Sequence, residues 1–210
     1  MKGIPMSRQV LARTLVFMGV LGLLFGVATS AANNLSWVLM SQVLGNSWLW
    51  IVLPYVAAWV GRSWRHCFVV SSGFIVPSVW GYYVADSVFG LYAAATGPDV
   101  LSVGIASDVM VGISYTVIGV AMCAVIAGVI SLVRRGGLLG IVASGTVPAF
   151  IGYDALTGMQ YLTSEAGHPV AWVVGICSLV WAAASIAVQF LEKSRNGQPA
   201  SSAPHEHAHP

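Results

Sequence analysis

The side chains able to do chemistry are few in this chain and widely spaced. Its three cysteines, Cys67, Cys123 and Cys177, include no C-x-x-C pair, so a thiol–disulfide enzyme has no support. They read as small apolar fillers of helices. The end of the chain, "SSAPHEHAHP", alternates His205, His207 and His209 with Glu206. Alternating histidines hold Zn²⁺ or Ni²⁺ weakly in an extended chain, but no closed ligand set accompanies them. His168 stands beside Pro169, where a helix start explains it. No H-E-x-x-H, G-x-S-x-G or phosphate-cradling glycine loop occurs. A non-enzyme without metal or cofactor is therefore expected. What remains is a set of amides, carboxylates and aromatic rings set in apolar sequence, which suits hydrogen bonding and stacking to a small solute rather than bond breaking.

The elements that must position these groups follow from hydropathy. The chain is 57% hydrophobic and 8% charged, whereas a soluble domain carries about a quarter charged residues. No Asp, Glu, Lys or Arg occurs in 14–61, 66–85, 109–133, 136–153 or 166–191. A bilayer core of about 30 Å takes about 20 apolar residues of helix, and backbone groups in lipid must be satisfied within the segment. The first run is long enough for two spans and each of the others for one. The expected fold is an all-α bundle of six transmembrane helices near 12–32, 42–61, 66–86, 108–133, 137–154 and 168–191. One domain, 1–192, is followed by a disordered cytoplasmic tail, 193–210, rich in Ser, Pro and Ala. The basic, then apolar, N-terminus also resembles a signal peptide, though its apolar run is long for one.

Orientation follows from the nine basic residues. Lys2, Arg8 and Arg13 precede the first span; Arg62 and Arg65, then Arg134 and Arg135, fill alternate loops; Lys193 and Arg195 follow the sixth. All fall on one side of a six-span chain, which the positive-inside rule makes cytoplasmic. Both termini are then inside and the protein belongs to the plasma membrane. Asp86, Asp99, Asp108, Asp154 and Glu165 fall outside, and no acidic residue lies deep in a span, which disfavours a proton relay.

The outer face therefore gathers Asn33, Asn34, Asn46, Asp86, Asp108 and Asp154 with several aromatic rings. Trp37, Val38, Met40, Val43 and Leu44 suit one face of a short interfacial helix. A loop of about twenty residues between Asp86 and Asp108 is apolar enough to fold back on the membrane, as binding loops and lids do. Asp108 suits a helix cap. The expected solute-binding residues are Asn33, Asn46, Trp48, Tyr82, Asp86 and Asp108. The competing reading is a hydrated acidic surface.

"SSGFIVPSVWGYY" (71–83) and "ASGTVPAFIGY" (143–153) share Ser-Gly, Val-Pro and Gly-Tyr in order. Both run from inside to outside after a basic loop. A duplicated helical hairpin, the second and third spans against the fourth and fifth, is one account; chance among common membrane-helix residues is the other. Either way the phrase carries shape: glycine for close helix approach, proline for a kink, tyrosine at the outer interface. Gly22-x-x-x-Gly26 and Gly136-x-x-x-Gly140 read as helix packing.

"LGNSWLWIV", with Asn46, Ser47 and Trp48 opening the second span, and "GYY", with Gly81, Tyr82 and Tyr83 closing the third, resemble the first half of a family of small actinobacterial integral membrane proteins catalogued as a domain of unknown function. The resemblance implies length and span count but no substrate, reaction or catalytic residue. Two functions stay open. One is small-solute binding or transport through the outer vestibule, in the manner of the membrane subunits of vitamin and metal importers. The other is a non-catalytic scaffold or accessory subunit packing its glycine faces on a partner membrane protein. The expected partners are the lipid bilayer and a solute or such a protein, with no nucleic acid.

Overall fold

A computed structural model describes residues 8–93, 98–158 and 167–196. They form helices α1 (Arg8–Asn34), α2 (Val38–Leu44), α3 (Ser47–Trp59), α4 (Trp64–Ala93), α5 (Pro98–Arg135), α6 (Gly137–Thr157) and α7 (Gly167–Asn196), with no strand among the described residues. Five of them, all but α2 and α3, are long and apolar enough to cross a membrane, and the chain has the character of a membrane protein.

The expected span near 42–61 is not one long helix. It breaks at Gly45 and Asn46 into α2, which lies within the stretch expected at the interface, and α3, a helix of 13 residues. At 1.5 Å per residue α3 covers about 20 Å, less than the hydrocarbon thickness of about 30 Å. The break has a local cause: Gly45 and Asn46 favour a turn, and Asn46 takes the extended backbone of a helix N-cap.

Helix directions follow from which residues meet. A Cβ at Gly22 would lie 2.2 Å from the Phe74 carbonyl oxygen, and one at Gly26 would lie 2.0 Å from that of Ser78. Numbers rise together, so α1 and α4 run parallel, backbone against backbone. This is the packing role expected of Gly22 and Gly26. Gly112 meets Tyr83, Gly119 meets Ile75, and Arg134 reaches Cys67, so α5 runs against α4. Gly136 and Gly137, with φ of 71° and 72°, form the turn into α6, so Gly136 supplies a reversal that L side chains resist rather than a helix face. Gly145 meets Ile186 and Gly152 meets Leu179, so α7 runs against α6.

The helices α1, α4, α5, α6 and α7 thus form an arc in that order, and α3 packs inside it on α4, α5 and α6. Trp48, Tyr55, Ala58, Cys67, Ile126, Ala127, Ile130, Val147, Ile151 and Ala155 build the core around α3. The starts of α1, α4 and α6 share one end of the bundle with the finishes of α3, α5 and α7. That end carries Arg8, Arg13, Arg62, Arg65, Arg134 and Arg135.

Both copies of the repeated phrase lie on helices pointing the same way. In each, the two glycines seat a neighbour: Gly73 and Gly81 receive α1, Gly145 and Gly152 receive α7. The neighbour is parallel in the first case and antiparallel in the second, so the two copies share a glycine-lined seat but not the direction of the helix it receives.

Two expected boundaries change. The loop between Asp86 and Asp108 is mostly helix: α4 continues to Ala93 and α5 begins at Pro98. α7 runs to Asn196, so the tail is helical over 193–196. The histidines at 205, 207 and 209 lie outside the described residues.

Candidate functional site

The end of the bundle opposite the arginines holds the polar groups. A cavity of about 750 Å³ opens there, lined by Asn33, Ser41, Gln42, Gly45, Asn46, Ser47, Tyr153, Asp154, Thr157 and Gly158. Four elements meet around it: the finish of α1, one side of α2, the start of α3 and the finish of α6. α2 packs on α1, α3 and α7 at this end.

Side-chain hydrogen bonds fix the walls. Asn33 Nδ2 donates to the Tyr82 hydroxyl at 3.0 Å, and Asn33 Oδ1 accepts from the Ser41 hydroxyl. Asn33 thereby ties α1 to both α4 and α2. The Trp50 indole N–H donates to the Leu44 carbonyl at 2.9 Å, which holds the turn between α2 and α3. On the cavity wall the Ser47 hydroxyl donates to Asp154 Oδ2 at 2.5 Å and ties α3 to α6. A carboxylate at the N-terminus of α3 meets the positive end of that helix's dipole. Asn46 occupies the N-cap position without capping through its side chain, and its place on the cavity wall leaves the amide on the side a solute would approach.

The expected site residues separate into three groups. Asn33 and Asn46 line the cavity, and Tyr82 supports it through Asn33. Asp86 lies on the α1–α4 seam instead, accepting from Asn34 Nδ2 at 2.8 Å and from the Ser30 hydroxyl at 3.3 Å. Asp108 accepts from the Ser87 hydroxyl at 2.9 Å and joins α5 to α4. It sits inside α5, not at its start, so it is no cap. Trp48 is buried in the core around α3, 7% exposed; on the first turn of α3 it points inward, where Ser47 beside it faces the cavity. Ser41, Gln42, Ser47, Tyr153, Asp154 and Thr157 complete the site. The signal for Asp154 is its place directly after the second Gly-Tyr, one turn from the end of α6; the signal for Ser47 is the Asn-Ser that opens α3.

Among the described residues no three of His, Cys, Asp and Glu come together in a metal-binding group. The other end is stapled by Arg134, whose Nη2 donates to the Trp59 carbonyl at 2.9 Å. The arrangement can hold a small molecule by hydrogen bonds from amide and hydroxyl groups, with one carboxylate and the ring of Tyr153. No protein-family model, curated protein or solved structure matches this chain.

Proposed function

We propose that this protein binds a small solute in the polar cavity at the acidic end of its bundle, as a binding or transport protein of the plasma membrane. The cavity itself carries the reading: about 750 Å³ to which eight of ten lining residues bring a polar side chain, in a chain that is 57% hydrophobic. Its size falls in the range of small-molecule sites, about 300–1,000 Å³. In this reading α3 is a sixth, shortened crossing that returns the chain to the arginine end. The positive-inside rule then puts both termini in the cytoplasm and opens the cavity to the outside. The reading is one of binding without catalysis: among the described residues the cavity presents one carboxylate and no nucleophile–base pair.

The accessory-subunit reading needs glycine faces left for a partner. Gly22, Gly26, Gly81, Gly145 and Gly152 are already filled by helices of the same chain, and of the helical glycines described only Gly128 and Gly137, the latter in the turn into α6, have open space around them. That favours solute binding. Native mass spectrometry of the protein extracted gently from its own membrane is the test. A retained small molecule, lost on Asp154→Asn, is the expected result. A co-purifying membrane protein with no small molecule overturns the reading in favour of the accessory role.

A further inference from the structure

The arginine end of the bundle carries cations that the chain itself leaves unmatched. Arg8, Arg13, Arg62, Arg65, Arg134 and Arg135 stand there, each exposed. Arg134 is engaged with α3, donating to the Trp59 carbonyl at 2.9 Å. Arg65 and Arg135 make no hydrogen bond or ion pair among the described residues. The sequence continuing past this end, 1–7 and 197–210, holds one acidic residue, Glu206, besides the Glu192 of α7. A guanidinium stays charged in proteins, so the excess calls for an anion from outside the chain.

Two of the unmatched arginines stand on touching helix ends. Arg134 Nη1 donates to Cys67 Sγ at 3.5 Å, which sets the last turn of α5 against the first turn of α4. Arg65 lies two residues before Cys67, and Arg135 follows Arg134. Packed helices run about 8–10 Å apart, a separation that two arginine side chains span to reach one phosphate. Arg8 and Arg13 differ: five residues apart on α1, they leave it about 140° apart and do not converge. Apolar groups flank the pair. The Trp64 ring, 47% exposed, is held by stacking on Phe68, with centroids 5.8 Å and planes 6° apart. Leu138 and Leu139, each 69% exposed, open α6 just past the turn at Gly136 and Gly137. Indole rings favour the boundary between headgroups and hydrocarbon.

We infer that the adjoining ends of α4 and α5 seat one anionic phospholipid of the leaflet on the arginine side. Its phosphate lies between Arg65 and Arg135, and its upper chains lie against Trp64, Leu138 and Leu139. The seat is independent of what the cavity at the other end holds. Arginine suits phosphate because its planar fork donates two parallel hydrogen bonds. A free phosphate ion would use the arginines and leave the ring and the leucines idle, whereas a lipid uses both. A zwitterionic choline headgroup would bring its own cation among the arginines, so a net negative headgroup is selected.

The test is native mass spectrometry of the full chain in an uncharged detergent, titrated with phosphatidylglycerol or phosphatidylcholine of equal chain length. A basic group near an anionic lipid adds roughly fivefold to binding, so two arginines predict a preference of about 25-fold for phosphatidylglycerol. Arg65→Gln and Arg135→Gln should each lower it about fivefold, and the pair together should abolish it. Both positions are exposed and unbonded, so thermal melts of the variants should match the parent; the single variants carry the test if the double one melts lower. Arg8→Gln with Arg13→Gln should leave the preference within about twofold, because these two do not converge. Equal binding of the two lipids overturns the inference. So does an equal loss from the α1 pair, which would mean a diffuse field and no seat. If inorganic phosphate alone raises the melting temperature through Arg65 while phosphatidylglycerol shows no preference, the arginines serve a soluble anion and the lipid seat falls.

Discussion

Arg134 and Trp59 meet twice at the arginine end of the bundle: the guanidinium donates to the Trp59 carbonyl at 2.9 Å and lies 5.6 Å from the centroid of the same residue's ring. Trp59 is the last residue of α3, where carbonyls lack intrahelical partners and a cation is favoured. With Ser47 bound to Asp154 at the opposite end, α3 is pinned at both termini by charged groups from its neighbours. A helix this short, carrying Pro54 in its interior, depends on such ties and on packing more than on its own propensity.

Arg134→Ala should therefore destabilise the bundle by about 2 kcal/mol, the scale of a hydrogen bond to a charged group plus a cation–π contact. Arg134→Lys should recover part of it, because an ammonium supplies the charge but not the planar fork. Unfolding titrations in detergent micelles measure both; equal stability of the Ala variant and the parent would show that the tie is incidental.

The α1–α4 seam predicts a sharp contrast between two glycines. Gly26→Ala places a methyl 2.0 Å from the Ser78 carbonyl oxygen, which is backbone and does not yield. The helices must separate, at a cost of about 3 kcal/mol or more. Gly128→Ala meets nothing within 4 Å and should be neutral or slightly stabilising, up to about 1 kcal/mol from helix propensity. The same micelle titration on the two variants settles the matter, and similar losses at both positions would count against this seam.

Trp48 and Tyr153 should part company. Trp48→Ala empties part of the core around α3 and should cost about 3 kcal/mol, the low end for a buried tryptophan because lipid removes much of the hydrophobic transfer term. Tyr153→Ala should leave stability within about 0.5 kcal/mol, as mostly exposed positions do. Melting curves of the pair check this, and a stable Trp48→Ala protein would contradict the burial.

Ser47→Ala removes the donor to Asp154 while leaving the cavity open. Stability should fall by about 1 kcal/mol, within the range for one intramolecular hydrogen bond. Any solute held through Asp154 should bind several-fold more weakly, since the carboxylate loses the contact that orients it. A binding isotherm unchanged by the substitution would remove Asp154 from the site.

Crossing number is open to chemical labelling. In a variant lacking Cys123 and Cys177, Thr157→Cys should react with a membrane-impermeant maleimide on intact cells. Ser63→Cys should react only after the membrane is opened, because both positions are exposed but stand at opposite ends of the bundle. Labelling of both from outside would show that α3 does not return the chain to the cytoplasmic side.

Much of the fold was legible because hydropathy and charge act locally along the chain. Long uncharged runs must be helical in lipid whatever they touch, and arginines recurring in alternate loops mark one end without reference to any contact. Gly22 and Gly26 announce close approach for the same reason: a missing side chain means something fills its place. The stretch near 42–61 divides into two helices where one was expected, because window hydropathy does not see a break made by Gly45 and Asn46 alone. Asp86 and Asp108 were grouped with Asn33 because all lie at one depth, yet depth is only one coordinate. Lateral position around the arc is set by which helix each glycine seat receives, and the sequence is silent on that. The sequence by itself thus determined the helical class and the basic and acidic ends of the bundle. Only the tertiary structure decided that α1 lies parallel to α4, that α3 is short and central, and that Asp154 rather than Asp86 shares a cavity with Asn46. These are pairings between residues far apart in the chain, fixed by the fit of surfaces and not by any local propensity.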